Sequence, residues 1–270
     1  MSVPRSYLYV PGNRPERFEK ALASGADAVI IDLEDAVPPA EKVAARQSAL
    51  NWLTVEKPIV MRINAETTQW FQDDLAICRH PGVAGIVLPK AENVGDEVLE
   101  LCRTQGIALL PLIETALGMS RANVIAALPS VCHVMFGTID FQFDLGIEGD
   151  GDELAPFRAQ LVLASRLAGI AAPIDGPCTS WEDAELLTAD CNRAKRLGFG
   201  GKLCIHPKQV ATVNAGFSPS EAELAWARRV IAAAQQSAGA AVAVDGRMVD
   251  HPIILKAERI VASAASKNRT

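Results

Sequence analysis

Short aliphatic runs recur along the chain, separated by longer stretches in which apolar residues return every three or four positions. The runs are SYLYV (6–10), AVIID (28–32), IVMRI (59–63), GIVLP (85–89), IALLPLI (107–113), HVMFG (133–137), APID (172–175) and KLCIH (202–206), which makes eight. Between them the spacing predicts helices: in PERFEKALASG, Phe18, Leu22 and the alanines share a face and Gly25 supplies a stop. EKVAARQSALNWL and DELAPFRAQLVLASRLAG repeat that pattern. Strands apolar on both faces and alternating with helices predict a parallel sheet covered by helices. Eight such units in roughly 210 residues predict an α/β fold closed as a (β/α)8 TIM barrel, for which ~250 residues is typical. An open doubly wound sheet is the alternative, but its G-x-G-x-x-G fingerprint is missing after the first run.

Beyond residue 206 the pattern changes. SPSEAELAWARRVIAAAQQSA opens with a capping-box signature, Ser218 or Ser220 with Glu221 or Glu223, and holds a helical period. AVAVDGRMVD places two alternating runs around Asp245-Gly246, a strong hairpin signal. HPIILKAERIVASAAS predicts a last helix before a polar tail. The barrel is therefore expected over 1–217, and 218–270 is expected to form a helical and hairpin arm that closes a site or packs on a neighbouring subunit.

Composition narrows the classes of function. Of the 270 residues 49% are apolar and only 5% aromatic, which suits one large aliphatic core. A formal charge of −6 with scattered basic residues argues against a nucleic-acid or membrane surface. No window approaches the ~18 apolar residues of a membrane span, and a proline interrupts the N-terminus before any signal-like run. The six cysteines form no C-x-x-C pair, so reduced, buried thiols in a cytoplasmic protein are expected. GFGGK (198–202) is followed by Leu203 where a phosphate loop needs Ser or Thr, so it predicts a helix-to-strand turn.

In barrel enzymes the site lies at the C-terminal ends of the strands, so the polar residues ending each run should converge. They are Asn13 and Arg14; Asp32, Glu34 and Asp35; Arg62 and Asn64; Lys90; Glu114; Asp140; Asp175; and His206. Each has a bland reading as a cap, a turn or a solvated charge. Arg62 resists it, because Met61 and Ile63 flank it within a strand and a charge in a barrel interior needs a partner. Glu114 and Asp140 end adjacent strands, which run about 4.8 Å apart, so they are placed to share one cation. Carboxylate oxygens without a nearby His pair or thiolate favour Mg²⁺, or Mn²⁺, and the four histidines show no zinc spacing.

With these residues in place, the chain resembles the HpcH/HpaI aldolase and citrate lyase family, and within it the branch of citrate lyase β-subunits. The matching stretches are YVPGNRPERFEKA, DAVIIDLEDAV with EKVAAR, MRINA, IVLPKAE, LIETALG, FGTIDFQFDLG, CIHPKQV and GRMVDHPIILKAERI, in order from residue 7 to about 260. The resemblance implies a Mg²⁺-binding barrel that makes or cleaves a carbon–carbon bond. It implies Glu114 and Asp140 as metal ligands, Arg62 as the substrate arginine, and Glu34 and Asp35 as the pair orienting metal-bound water. It implies that Asp250, in MVDHP, serves as acid or base in a neighbouring subunit's site, which would make the protein a homo-oligomer, trimer or hexamer. One departure stands out: many members carry G-A-E-D where this chain has Gly137-Thr138-Ile139-Asp140.

The expected activity is cleavage or formation of a malyl-, citramalyl- or citryl-type 3-hydroxy-acyl thioester of coenzyme A, giving an acyl thioester and a 2-oxo acid. In it Arg62 stabilises the enolate oxygen, Asp250 handles the proton and Arg14 holds a phosphate of the carrier. A coenzyme A-independent 4-hydroxy-2-oxo acid aldolase is one alternative, although that branch uses a histidine base where this chain has LEDAV. A non-catalytic subunit or ligand sensor is the other.

Overall fold

The computed structural model describes residues 4–236 and 242–265. The polar tail expected after the last helix lies outside the described residues, as do the ends of the segments expected at 218–238 and 241–250. Pro4–Asn214 forms one compact unit and the chain from Ala215 onward forms a second.

In the first unit eight parallel strands close into a barrel in sequence order: β1 (Ser6–Pro11), β2 (Ala28–Asp32), β3 (Ile59–Arg62), β4 (Val83–Leu88), β5 (Ala108–Ile113), β6 (Met135–Phe136), β7 (Ile174–Asp175) and β8 (Gly201–Cys204). β8 closes the ring on β1, Lys202 lying opposite Ser6 and Leu203 opposite Tyr7. The helices between and after the strands are α1 (Phe18–Leu22), α2 (Lys42–Trp52), α3 (Phe71–Ile77), α4 (Asp96–Gln105), α5 (Ala116–Ser120), α6 (Ala122–Ala126), α7 (Thr138–Leu145), α8 (Ala155–Leu167), α9 (Ala184–Leu197) and α10 (Val210–Gly216).

The eight expected strands are all present, but β6 and β7 are shorter than their apolar runs. Pro173 has no N–H to give to a ladder, and β6 and β7 pair only at Met135 and Ile174. Alternation sends Tyr7, Ile30, Val87, Leu110, Leu112, Met135, Ile174 and Leu203 into the barrel interior, where they pack as one cluster. Their neighbours, such as Leu8, Ile31, Met61 and Ile86, are equally buried on the opposite face, against the helices.

That parity corrects one of the strand-end residues. Asp175 follows the inward Ile174 and Lys202 precedes the inward Leu203, so both point outward, into the layer between strands and helices. There Asp175 accepts from Lys202 Nζ and from Arg158 Nε of α8, each at 2.8 Å. All three side chains are fully buried. The charge that ends β7 therefore serves the wall of the barrel rather than its mouth.

GFGGK is the expected turn. Gly198 ends α9 in a left-handed conformation (φ 103°), and a Cβ on Gly201 would lie 2.5 Å from the Arg5 carbonyl oxygen. The second unit holds α11 (Glu221–Gln236), the hairpin β9 (Val242–Val244) and β10 (Arg247–Val249), and α12 (His251–Ala265). The hairpin turns on Asp245 (φ 51°) and Gly246 (φ 74°), two consecutive left-handed residues that match the twist of its strands. Ala227, Val230, Val244, Val249 and Ala257 form a small core of its own.

Candidate active site

The C-terminal ends of the strands surround a cavity of about 410 Å³ whose charged lining is Asp32, Asp35, Arg62, Glu114 and Asp140. Asp32 and Arg62 lie side by side in the β2–β3 register. Arg62 Nε and Nη2 donate to the two Asp32 oxygens at 2.7 and 2.6 Å, a fork that fixes the guanidinium plane. The same guanidinium lies 4.7 Å above the Tyr9 ring, and its Nη1 faces Glu34 at 3.0 Å and Asp35 at 3.6 Å. Burial works against the charge of Arg62, but Asp32, Tyr9 and Glu34 outweigh it and hold its pKa well above the usual value. This arginine is permanently charged and held still.

Asp32 does more than hold Arg62. Its carboxylate also accepts from the backbone N–H of Glu34 at 2.9 Å and of Ala36 at 3.2 Å, so it shapes the turn that presents Glu34 and Asp35. Glu34 is bound on its other oxygen by Lys90 Nζ at 2.7 Å. Lys90 takes a left-handed backbone (φ 48°), unusual for a side chain with a Cβ, and in it its N–H points at Glu114 Oε1, 2.7 Å away. A single residue thus tethers both Glu34 and Glu114.

Glu114 is 1% exposed. Burial, and then the proximity of Glu34 and Asp140, push its carboxyl well above the usual carboxylate range, against the Lys90 N–H and ammonium. Burial pushes Glu34 upward as well. Asp140 sits in the first turn of α7, where the helix N-terminus favours a negative charge. Glu114 fits beside the start of α7 because Gly137 has no side chain: a Cβ there would lie 2.5 Å from Glu114 Oε2. Buried carboxylates that repel one another form a donor set that suits a hard divalent cation. Glu114 and Asp140 would hold Mg²⁺ through carboxylate oxygens.

Not every strand-end residue joins this group. Arg14 is exposed beyond the cavity lining and pairs with Glu16 at 2.8 Å. Asn13 binds Glu41, Asn64 is buried against Leu33 and Asp74, and His206 caps a short turn by accepting from the Lys208 N–H. Asp250 lies in the second unit, exposed at the start of α12, where its carboxylate accepts from the Ile253 N–H at 3.3 Å. Asp32, Lys90 and Tyr9 hold roles here that the sequence alone does not give them. For Asp32 a signal existed, since an acid ending β2 faces an arginine ending β3. For the Lys90 backbone and the buried Tyr9 hydroxyl, which has no partner among the described residues, none did.

The fold and this carboxylate-rich mouth define a barrel enzyme that works with a divalent cation. Residues 5–207 match the model of the HpcH/HpaI aldolase/citrate lyase family, and the chain belongs to that family. It is 39% identical to a citrate lyase subunit beta-like protein of Deinococcus radiodurans, with 97% of each chain covered. It is 37% identical to a (3S)-malyl-CoA thioesterase of Cereibacter sphaeroides, over 96% of this chain and 94% of that one. Among solved structures, CitE of Mycobacterium tuberculosis in complex with magnesium, acetoacetate and coenzyme A superimposes with a TM-score of 0.86 at 36% identity, over 98% of both chains.

Proposed function

We propose that this protein is a Mg²⁺-dependent carbon–carbon lyase acting on 3-hydroxy-acyl thioesters of coenzyme A of the malyl, citramalyl or citryl type, in the cleaving or the condensing direction. One observation carries the reading: a metal-suited acid pair, Glu114 with Asp140, lines the same cavity as an immobilised arginine, Arg62. When bound, Mg²⁺ supplies a Lewis acid and a template for the carboxylate and oxo oxygen of a 2-oxo acid. Arg62 stabilises the enolate oxygen that develops on the acyl thioester, and Asp32 keeps its guanidinium from turning away. Glu34 and Asp35 orient water at the metal site. Asp250 donates the proton to the enolate carbon, or removes it in condensation, from the arm of a neighbouring subunit in a trimeric or hexameric ring. Arg14 steers a phosphate of the carrier from outside the cavity, and the protein works in the cytoplasm.

Three measurements test this. Incubating the protein with malyl, citramalyl and citryl thioesters should release a 2-oxo acid only when Mg²⁺ is present; turnover that survives EDTA would remove the metal role of Glu114 and Asp140. Replacement of Asp250 by asparagine should suppress solvent proton exchange at the acetyl thioester methyl by about two orders of magnitude, and normal exchange would return the arm to a structural role. Gly137→Ala should push Glu114 aside and weaken Mg²⁺ binding about 10- to 100-fold in calorimetry, with the folded barrel retained; unchanged affinity would detach Glu114 from the metal.

The relative named (3S)-malyl-CoA thioesterase favours a second reading, hydrolysis of the same class of thioester. Products separate the two. Lysis yields a 2-oxo acid and a shorter thioester, whereas hydrolysis yields free thiol and a hydroxy acid.

A further inference from the structure

The charges at the barrel mouth occupy one part of it. Asp32, Asp35 and Arg62 come from β2, β3 and the loop after β2, and Glu114 and Asp140 from the end of β5 and the first turn of α7. The rest of the same cavity is mostly apolar, with Pro11, Ile139, Pro177, Leu203 and Ile205 in its lining, and Tyr9 and Thr138 are its hydroxyl-bearing members. Ile139 and Ile205 keep 49% and 40% of their surface exposed, so they offer apolar area to a ligand instead of spending it on the core.

On the lyase reading, the acceptor 2-oxo acid turns one carboxylate and its oxo oxygen toward the Glu114–Asp140 side. Its remaining side group meets what is left. Among the described residues, Arg62 is the one basic side chain lining the cavity, and Asp32, Glu34 and Asp35 already share it. A second carboxylate on the acceptor would meet a mostly aliphatic wall, where, apart from Arg62, the neutral hydroxyls of Tyr9 and Thr138 are the only side-chain donors in the lining among the described residues, or would lie near Asp32 and Asp35, where like charges repel.

We propose that the acceptor carries a single carboxylate and an uncharged, apolar side group, as pyruvate and 2-oxobutyrate do, with Ile139 as a specificity-determining residue. The thioester substrate is then of the citramalyl type, and a citryl thioester, whose acceptor half is the dicarboxylate oxaloacetate, is discriminated against. This inference rests on the lyase reading and goes beyond it by choosing among its substrates.

Binding can be measured apart from turnover. Calorimetry on the full-length protein with saturating Mg²⁺ would compare 2-oxobutyrate with freshly dissolved oxaloacetate, and 2-oxopentanoate with 2-oxoglutarate. In each pair a terminal methyl is exchanged for a carboxylate. The uncharged member should bind at least about tenfold tighter in both pairs, and equal or tighter binding of the dicarboxylates overturns the proposal. Ile139→Lys, which sets a cation on the apolar wall, should shift that ratio about fivefold or more toward the dicarboxylate. An unchanged ratio removes Ile139 as the determinant. If Mg²⁺ binds but neither member of either pair does, the lyase reading itself fails, and this outcome is distinct from dicarboxylates binding well.

Discussion

Replacing Arg62 by alanine should lower turnover of the thioester by about two to three orders of magnitude, the loss seen when one donor to a developing oxyanion is removed. Mg²⁺ affinity should change only a few-fold, because Arg62 meets the second carboxylate group, Asp32, Glu34 and Asp35, and not the Glu114–Asp140 pair directly. The variant has a built-in confound. Asp32 is 1% exposed, and without its fork it becomes a buried carboxylate short of its counter-charge, which should destabilise the barrel by about 3–5 kcal/mol. The double replacement Arg62→Met with Asp32→Asn removes that unpaired charge and should recover most of the melting temperature without recovering turnover. Full activity in the double variant would take Arg62 out of the chemistry. Arg62→Lys is informative too, since a lysine keeps the charge but cannot reproduce the bidentate, stacked geometry over Tyr9.

Asp175→Asn should produce a comparable loss of stability, about 3–5 kcal/mol, measured by denaturant unfolding. Asp175 is the hydrogen-bonded carboxylate of Lys202, and it shares Arg158 with Asp150; Lys202, Arg158 and Asp175 are all fully buried. Without it the Lys202 ammonium is left in the strand–helix layer without its ion-pair partner, attracted only at longer range by Asp190 and Asp150. The double replacement Asp175→Asn with Lys202→Met should be markedly more stable than the single one, and a single variant as stable as the wild type would show that the cluster contributes nothing to the fold. Acid should act in the same direction. Burial opposes the charge of Asp175, but Lys202 and Arg158 overcome it and hold its pKa below the ordinary 3.8. Its contribution is therefore complete above the unfolded-state value and lost as pH falls through the lower folded one.

The eight βα units were legible because apolar runs and helical periods alternate without interruption, and β6 and β7 shrank most, to two residues each, where Pro173 withholds a hydrogen bond. The acids and the arginine around the cavity were legible because barrels gather strand ends at one face. Arg62 betrayed itself by interrupting an aliphatic strand. Asp175 misled for a plain reason: a residue that ends a strand belongs to the mouth only if it points inward, and a shift of one position sends it to the helices. Lys90 does join the strand-end group, but its role there depends on a left-handed backbone that no pattern of side chains announces.

By itself, the sequence determined the closed α/β architecture, the hairpin at Asp245-Gly246 and the chemical character of the site, because those follow from periodicity, turn preferences and residue type. The tertiary structure decided which charges meet. It set Asp32 against Arg62 through the β2–β3 register, drew Glu114 under Gly137, tied Glu34 to Lys90, and turned Asp175 and Lys202 away from the cavity. Each of those pairings depends on strand register and side-chain parity, which are fixed only when the barrel closes and β8 finds β1.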